Sequence, residues 1–144
     1  MSAPGAPRLA DVEVGQQVGA ATVHLTRADL VRYAGASGDR NPIHWDERTA
    51  LAVGLPDVIA HGMLTMADAV RVVVDWCGDP AAVVDYGVRF TGQVPVPHEG
   101  GAVLEVSAVV GAVDAGAGTV RVDLTATTGG TRVLGRARAT VRLG

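Results

Sequence analysis

An α+β domain, an antiparallel β-sheet folded around one long helix, is what the chain predicts, and three observations carry that prediction. The segment Gly62–Trp76 is apolar around most of its circumference and long enough, at roughly 22 Å, to cross a small domain. The half of the chain after Gly78 is rich in Val and Thr with period-two alternation. Short glycine turns at Gly116–Gly118 and Gly129–Gly130 join consecutive strands, which makes them antiparallel.

The elements follow in order. Residues 1–8 are rich in Pro and Gly and are expected to be loose. Val18–Leu25 reads as a strand. Thr26 and Asp29 then form a capping-box pattern that opens a short helix over Leu30, Val31 and Tyr33-Ala34, ending in the Gly35–Gly38 stretch. Asp39 to His44 is expected to be irregular, because Pro42 disfavours helix at Asn41 and removes a donor. Asp46 is placed to cap a second short helix through Val53, stopped by Gly54 and Pro56. In Gly62–Trp76, Met63, Met66, Ala67, Val70, Val73, Val74 and Cys77 form the expected apolar face. Thr65, Asp68, Arg71 and Asp75 form the expected polar stripe. Strands are predicted over Val83–Thr91, Val103–Val113, Thr119–Thr128 and Arg132–Leu143. Neither a repeat nor a second domain is visible, so residues 1–144 read as one domain.

Composition narrows the function classes. The chain has 144 residues, 48% of them apolar and 19% charged, enough for one real core. A formal net charge of −3 argues against nucleic acid as the main partner, since phosphate binding requires a basic footprint. All basic residues are arginine. Of these, Arg132, Arg136, Arg138 and Arg142 share one parity on the last predicted strand, which reads as a solvated face more readily than as a patch for an acidic carrier. The single cysteine, Cys77, leaves no intrachain disulfide and fits a reducing cytoplasm. No apolar run reaches membrane-spanning length, and the first residues lack the charge and apolar pattern of a signal peptide. The expected location is cytoplasmic, without membrane insertion.

The chemistry concentrates between Ala36 and Ala67. Asp39 and His44 flank a proline, and five residues apart on a regular helix they would point about 140° away from each other. A chain broken at Asn41-Pro42 instead lets both turn toward one point. Histidine titrates near neutrality and a carboxylate beside it can orient it or share a water, so the pair suits proton transfer. The helix beginning at Gly62 has no Ser, Thr, Asp or Asn at its start, leaving first-turn N–H groups for a ligand oxygen. Plainer readings exist for each: Asp39 capping a turn, His44 and His61 as packed histidines, Gly62 as a permissive residue. Asp39, His44, Asp46 and His61 match no metal-ligand spacing, so neither metal nor other cofactor is expected. Ser37 lacks the partners of a nucleophile.

Two segments carry a resemblance. Ser37-Gly-Asp-Arg-Asn-Pro-Ile-His44, followed by Ile59-Ala-His-Gly-Met-Leu-Thr-Met66, resembles the hydratase-2 motif of the MaoC-like (R)-specific hydratases and dehydratases. Weaker similarity, including Tyr86-Gly-Val-Arg-Phe-Thr91 and Leu124–Gly130, extends over nearly the whole chain. Over that length it looks closest to the catalytic beta subunit of the mycobacterial-type (3R)-hydroxyacyl-ACP dehydratase of type II fatty-acid elongation. The resemblance implies a hotdog fold with Gly62–Trp76 as the central helix. It implies Asp39 and His44 as the catalytic pair and the Gly62 amide as oxyanion donor, with Asn41 among the substrate-binding residues. It further implies an acyl-ACP or acyl-CoA thioester substrate and pairing with a related hotdog subunit, or with a second copy. Two other functions stay open: a homodimeric (R)-specific enoyl-CoA hydratase using the same pair, and a non-catalytic acyl-binding subunit. A hotdog thioesterase using Asp68 would leave the motif before the helix unexplained.

Overall fold

The structure, a computed structural model, describes residues 5–144; of the segment expected to be loose, residues 1–4 lie outside the described residues and residues 5–8 carry no regular element. Its elements are β1 (Gln17–Leu25), α1 (Arg27–Ser37), α2 (Glu47–Ala52), α3 (Gly62–Cys77), β2 (Val83–Phe90), β3 (Ala102–Asp114), β4 (Thr119–Thr128), β5 (Thr131–Arg132) and β6 (Leu134–Arg142). The long strands form one antiparallel sheet in the order β1-β3-β4-β6-β2, with β5 paired to β4. Helix α3 packs against all five long strands. This is the hotdog arrangement.

Alternation builds the core. Leu104, Val106, Ala108 and Val110 of β3 are buried, as are Val120, Val122, Leu124 and Ala126 of β4, while their sequence neighbours face outward. Tyr86 of β2 ties the sheet to the helix, its hydroxyl donating to the Met66 carbonyl at 2.8 Å. Burial pushes that hydroxyl up to about 12, so it stays protonated and remains a donor. Cys77 is buried at the end of α3, its thiol within reach of the Asp79 carbonyl at 3.3 Å.

Two expectations are corrected here. Thr65, placed on the polar stripe, is buried; Met63 and Ala67, placed on the apolar face, are exposed. The line facing the sheet is Thr65, Ala69, Val72, Val73 and Cys77, and the exposed line is Met63, Ala67, Arg71 and Asp75. The periodicity predicts a wide apolar arc, but the sheet covers only part of it, and a threonine fits against a sheet when its hydroxyl has a nearby carbonyl, here that of His61 at 3.5 Å. The last predicted strand is also broken. Val133 separates β5 from β6, a register shift falls between Gly87 and Arg89 of the paired strand β2, and Arg136 has a φ of 44°. The four arginines nevertheless all remain exposed.

The capping box at Thr26 and Asp29 forms as expected. It fixes the next residue, Arg27, whose guanidinium reaches Glu47 at 2.9 Å, Asp57 at 2.5 Å and the Val96 carbonyl at 3.0 Å. One side chain thus joins α1, α2 and two loops behind the site. Among the described residues no helix is long and apolar enough to cross a membrane.

Leu104 is fully buried in the middle of the sheet. Leu104→Ala is expected to lower the unfolding free energy by about 2–5 kcal/mol, read as a lower denaturant midpoint with an unchanged m-value.

Candidate active site

Everything at the site hangs on the extended segment Val58–Ala60. On one side, Val96 N–H donates to the Val58 carbonyl and Ala60 N–H to the Val94 carbonyl, both within 2.9 Å. On the other, Ile59 N–H donates to the Ile43 carbonyl at 3.2 Å. Pinned on both sides, the segment offers the Ile59 carbonyl to His44, whose Nδ1 lies 2.6 Å away. A carbonyl only accepts, so Nδ1 carries the proton and Nε2 presents a bare lone pair.

The loop before it brings the carboxylate across. Gly38 ends α1 in the left-handed region, and the Asp39 N–H donates to Ser37 Oγ at 3.1 Å. Pro42–His44 forms a single 3-10 turn rather than a wholly irregular stretch. Asp39 then divides its oxygens: Oδ1 accepts from the Asn41 N–H at 3.2 Å, and Oδ2 stands 3.9 Å from His44 Nε2. The turn-capping role and the role facing His44 are therefore held at once, one per oxygen. Two acceptors 3.9 Å apart cannot bond each other. A single water about 2.8 Å from each can donate to both.

His44 is buried whereas Asp39 is more than half exposed. Burial holds the His44 imidazole below the ordinary histidine value, with the ring of His61 adding to the effect; the Ile59 carbonyl and Asp39 oppose it. His61 lies stacked on His44, centroids 3.7 Å apart.

Beside the pair opens a cavity of about 320 Å³. Its walls include His44, Gly62, Met63, Thr65, Phe90 and Leu134, and apart from His44, Thr65 and Gln93 the lining residues are apolar. Gly62 begins α3, no side chain caps the helix, and no acceptor among the described residues takes the Gly62 N–H. The Phe90 ring lies close over that glycine, 2.9 Å from where a Cβ would stand. An apolar slot with the free Gly62 N–H and one imidazole nitrogen suits an acyl group whose carbonyl oxygen gains charge.

Asn41 is placed differently from the pair. Its Oδ1 accepts from the Ile43 N–H at 3.2 Å, making it the cap of the 3-10 turn, and it does not line the cavity. Asp46 caps α2 and Asp68 lies on another face, lining a groove against β1. Asp39, His44 and His61 together have ligand-type atoms within 4.8 Å of one another, a donor set a metal ion would also recognise. Each imidazole already has one nitrogen tied to a carbonyl oxygen. The residues that sequence reasoning missed are Phe90 and Thr65. Phe90 sits at a strand end with no local signal, and Thr65 was hidden by its polarity.

Comparison with known proteins now places the chain. The MaoC like domain family matches residues 10–128. This chain belongs to it. Among relatives, 3-hydroxyacyl-thioester dehydratase Z of Mycobacterium tuberculosis is 34% identical over 119 residues, 78% of this chain and 77% of that protein. The 3-hydroxyacyl-thioester dehydratase X of the same organism is 40% identical over 82 residues, 57% of this chain but 28% of that protein. A solved MaoC-like dehydratase superposes with a TM-score of 0.94 at 43% identity, covering 98% of this chain and 43% of that one. The chain thus spans less than half the length of dehydratase X and of the solved dehydratase.

Because its folded value is depressed, His44 is expected to titrate below 6.5 when followed by NMR of its imidazole carbon protons. It adds stability above the unfolded value that is lost as the pH falls through the folded one. A midpoint above 6.5 would contradict the buried setting described here.

Proposed function

We propose that this MaoC-like chain is a hydro-lyase that interconverts trans-2-enoyl thioesters and (3R)-hydroxyacyl thioesters, with His44 and Asp39 as the catalytic pair. The observation that carries the reading is the bridging distance between His44 Nε2 and Asp39 Oδ2 beside a cavity where the Gly62 N–H is free. The names of its relatives, dehydratases of hydroxyacyl thioesters, support the same substrate class.

In the hydration direction the thioester carbonyl oxygen accepts from the Gly62 N–H, which draws electron density from the double bond. A water held between His44 and Asp39 gives up a proton to the pair as its oxygen bonds to C3. A proton from the pair is delivered to C2, and the oxygen's charge collapses back into the carbonyl. Dehydration reverses each step: C2 loses a proton, the C3–O bond breaks and the departing hydroxyl leaves as water. Neutral His44 with its lone pair on Nε2 is the form ready to accept. The acyl chain runs along the apolar wall, past Phe90 and Met63.

The finer reading is a catalytic subunit acting on ACP-bound intermediates of type II fatty-acid elongation, paired with a related hotdog subunit. Met63 and Phe90, both more than half exposed at the cavity mouth, supply an apolar rim that a second subunit would cover. Comparing acyl-ACP with acyl-CoA, on the chain alone and co-expressed with candidate sister subunits, separates this from a homodimeric enoyl-CoA hydratase.

His44→Ala and Asp39→Asn are each expected to lower kcat/KM for enoyl-thioester hydration by roughly 10²-fold or more while circular dichroism stays unchanged. Turnover close to wild type in either variant refutes the assignment. The Gly62 amide has its own test. His61 already has the extended backbone that a following proline requires, and proline is tolerated as a first helical residue. Gly62→Pro removes the N–H and is expected to cost about 10²–10³ in rate; Gly62→Ala, which keeps the N–H and meets only the far end of the exposed Phe90 ring, is expected to cost much less. Exhaustive chelation is expected to leave hydration unaffected, measured against an untreated sample.

A further inference from the structure

His61 does not line the cavity, yet both residues assigned to the chemistry lean on it. The face of its ring lies on His44, with planes inclined by 21°. The edge of its ring reaches Asp39: Nε2 stands 3.0 Å from the Asp39 main-chain carbonyl, which only accepts, so Nε2 carries the proton and donates. Tyr33 of α1 meets the same ring edge-on, at 4.8 Å between centroids.

The remaining nitrogen sharpens the point. Nδ1 is buried and has no hydrogen-bond partner among the described residues, in a side chain only 2% exposed. An unpartnered buried acceptor destabilises a fold. A residue kept only to fill space would be served better by phenylalanine, which has the same flat face and no orphaned nitrogen. What phenylalanine lacks is an in-plane N–H. Glutamine has the N–H but no face to stack. Among side chains of this size, imidazole combines the two.

We propose that His61 is the positioning residue of the pair, a single ring that steadies His44 with its face and the Asp39 main chain with its edge, so that Nε2 and Oδ2 keep the distance one water can bridge. The inference rests on the assignment of His44 and Asp39 given above. Its second contact explains how an aspartate that is largely open to solvent can be held in register with a buried histidine. The main chain is anchored to the core by His61, and the carboxylate is oriented from there by the Asn41 N–H.

Two substitutions separate this from plain packing, made in the full chain and assayed with whatever partner the wild type requires. His61→Phe keeps the stacked face and removes both the donor and the orphaned nitrogen; His61→Gln keeps a donor. The phenylalanine variant is expected to melt at or above the wild-type temperature. Its kcat is expected to fall roughly tenfold or more, since misplacement by about 1 Å can cost 10²-fold. Its KM is expected to stay within about twofold of wild type, as His61 does not meet the substrate. The glutamine variant is expected to recover a clear part of kcat. Unchanged kcat in His61→Phe, or equal losses in both variants, overturns the proposal. If His61→Phe does not fold, His61→Leu against His61→Gln gives the same contrast of donor absent and donor present. Should the wild type hydrate no enoyl thioester at all, the reaction falls and crystal structures of the variants decide the positioning role alone. Asp39 Oδ2 moving away from His44 in His61→Phe but not in His61→Gln supports it, and an unmoved carboxylate in His61→Phe refutes it.

Discussion

The hydrogen bond from His44 Nδ1 to the Ile59 carbonyl governs the site. It selects the tautomer, sets the ring plane and turns Nε2 toward the cavity and Asp39. That bond exists because Val58–Ala60 is held on one side by the 94–96 segment and on the other by Ile43, which leaves its carbonyl no freedom to rotate away. Two residues farther on, the same segment enters α3 and delivers Gly62. A short stretch of extended backbone therefore fixes the bare His44 nitrogen and the free Gly62 N–H relative to each other. The rest of the fold keeps that stretch straight.

Much of this was legible before any coordinates. Val and Thr alternation and glycine turns specify strands locally, and the cap at Thr26 is written in four residues. The pairing of Asp39 with His44 was legible because Pro42 lies between them and makes a regular helix impossible there. Its wiring was not legible. Ile59 lies 15 residues from His44, and nothing in its apolar side chain announces that its carbonyl is the group that matters. Thr65 and Met63 show the complementary failure. Residue polarity orders positions around a helix, but the extent of the sheet decides how much of that circumference is covered, and a hydroxyl near a free carbonyl can be buried at little cost. The break near Val133 escaped notice because valine is an ideal strand residue by composition.

Stability and chemistry divide the chain unevenly. The alternating residues of β3 and β4 and the arginine that ties α1 to the loops are there for the fold. The bare nitrogen of buried His61 costs folding free energy, and it lies at the start of α3 beside the Gly62 N–H, which has no acceptor among the described residues.

Trp45 follows His44 directly, and its indole N–H donates to the Arg40 carbonyl at 3.1 Å, clasping the two ends of the short loop that carries the pair. The indole is about half open to solvent, and the only other tryptophan, Trp76, sits near the far end of α3. Opening of the clasp releases that indole to water without touching the second one. With Trp76 replaced by phenylalanine, the remaining indole fluorescence would report on the loop alone.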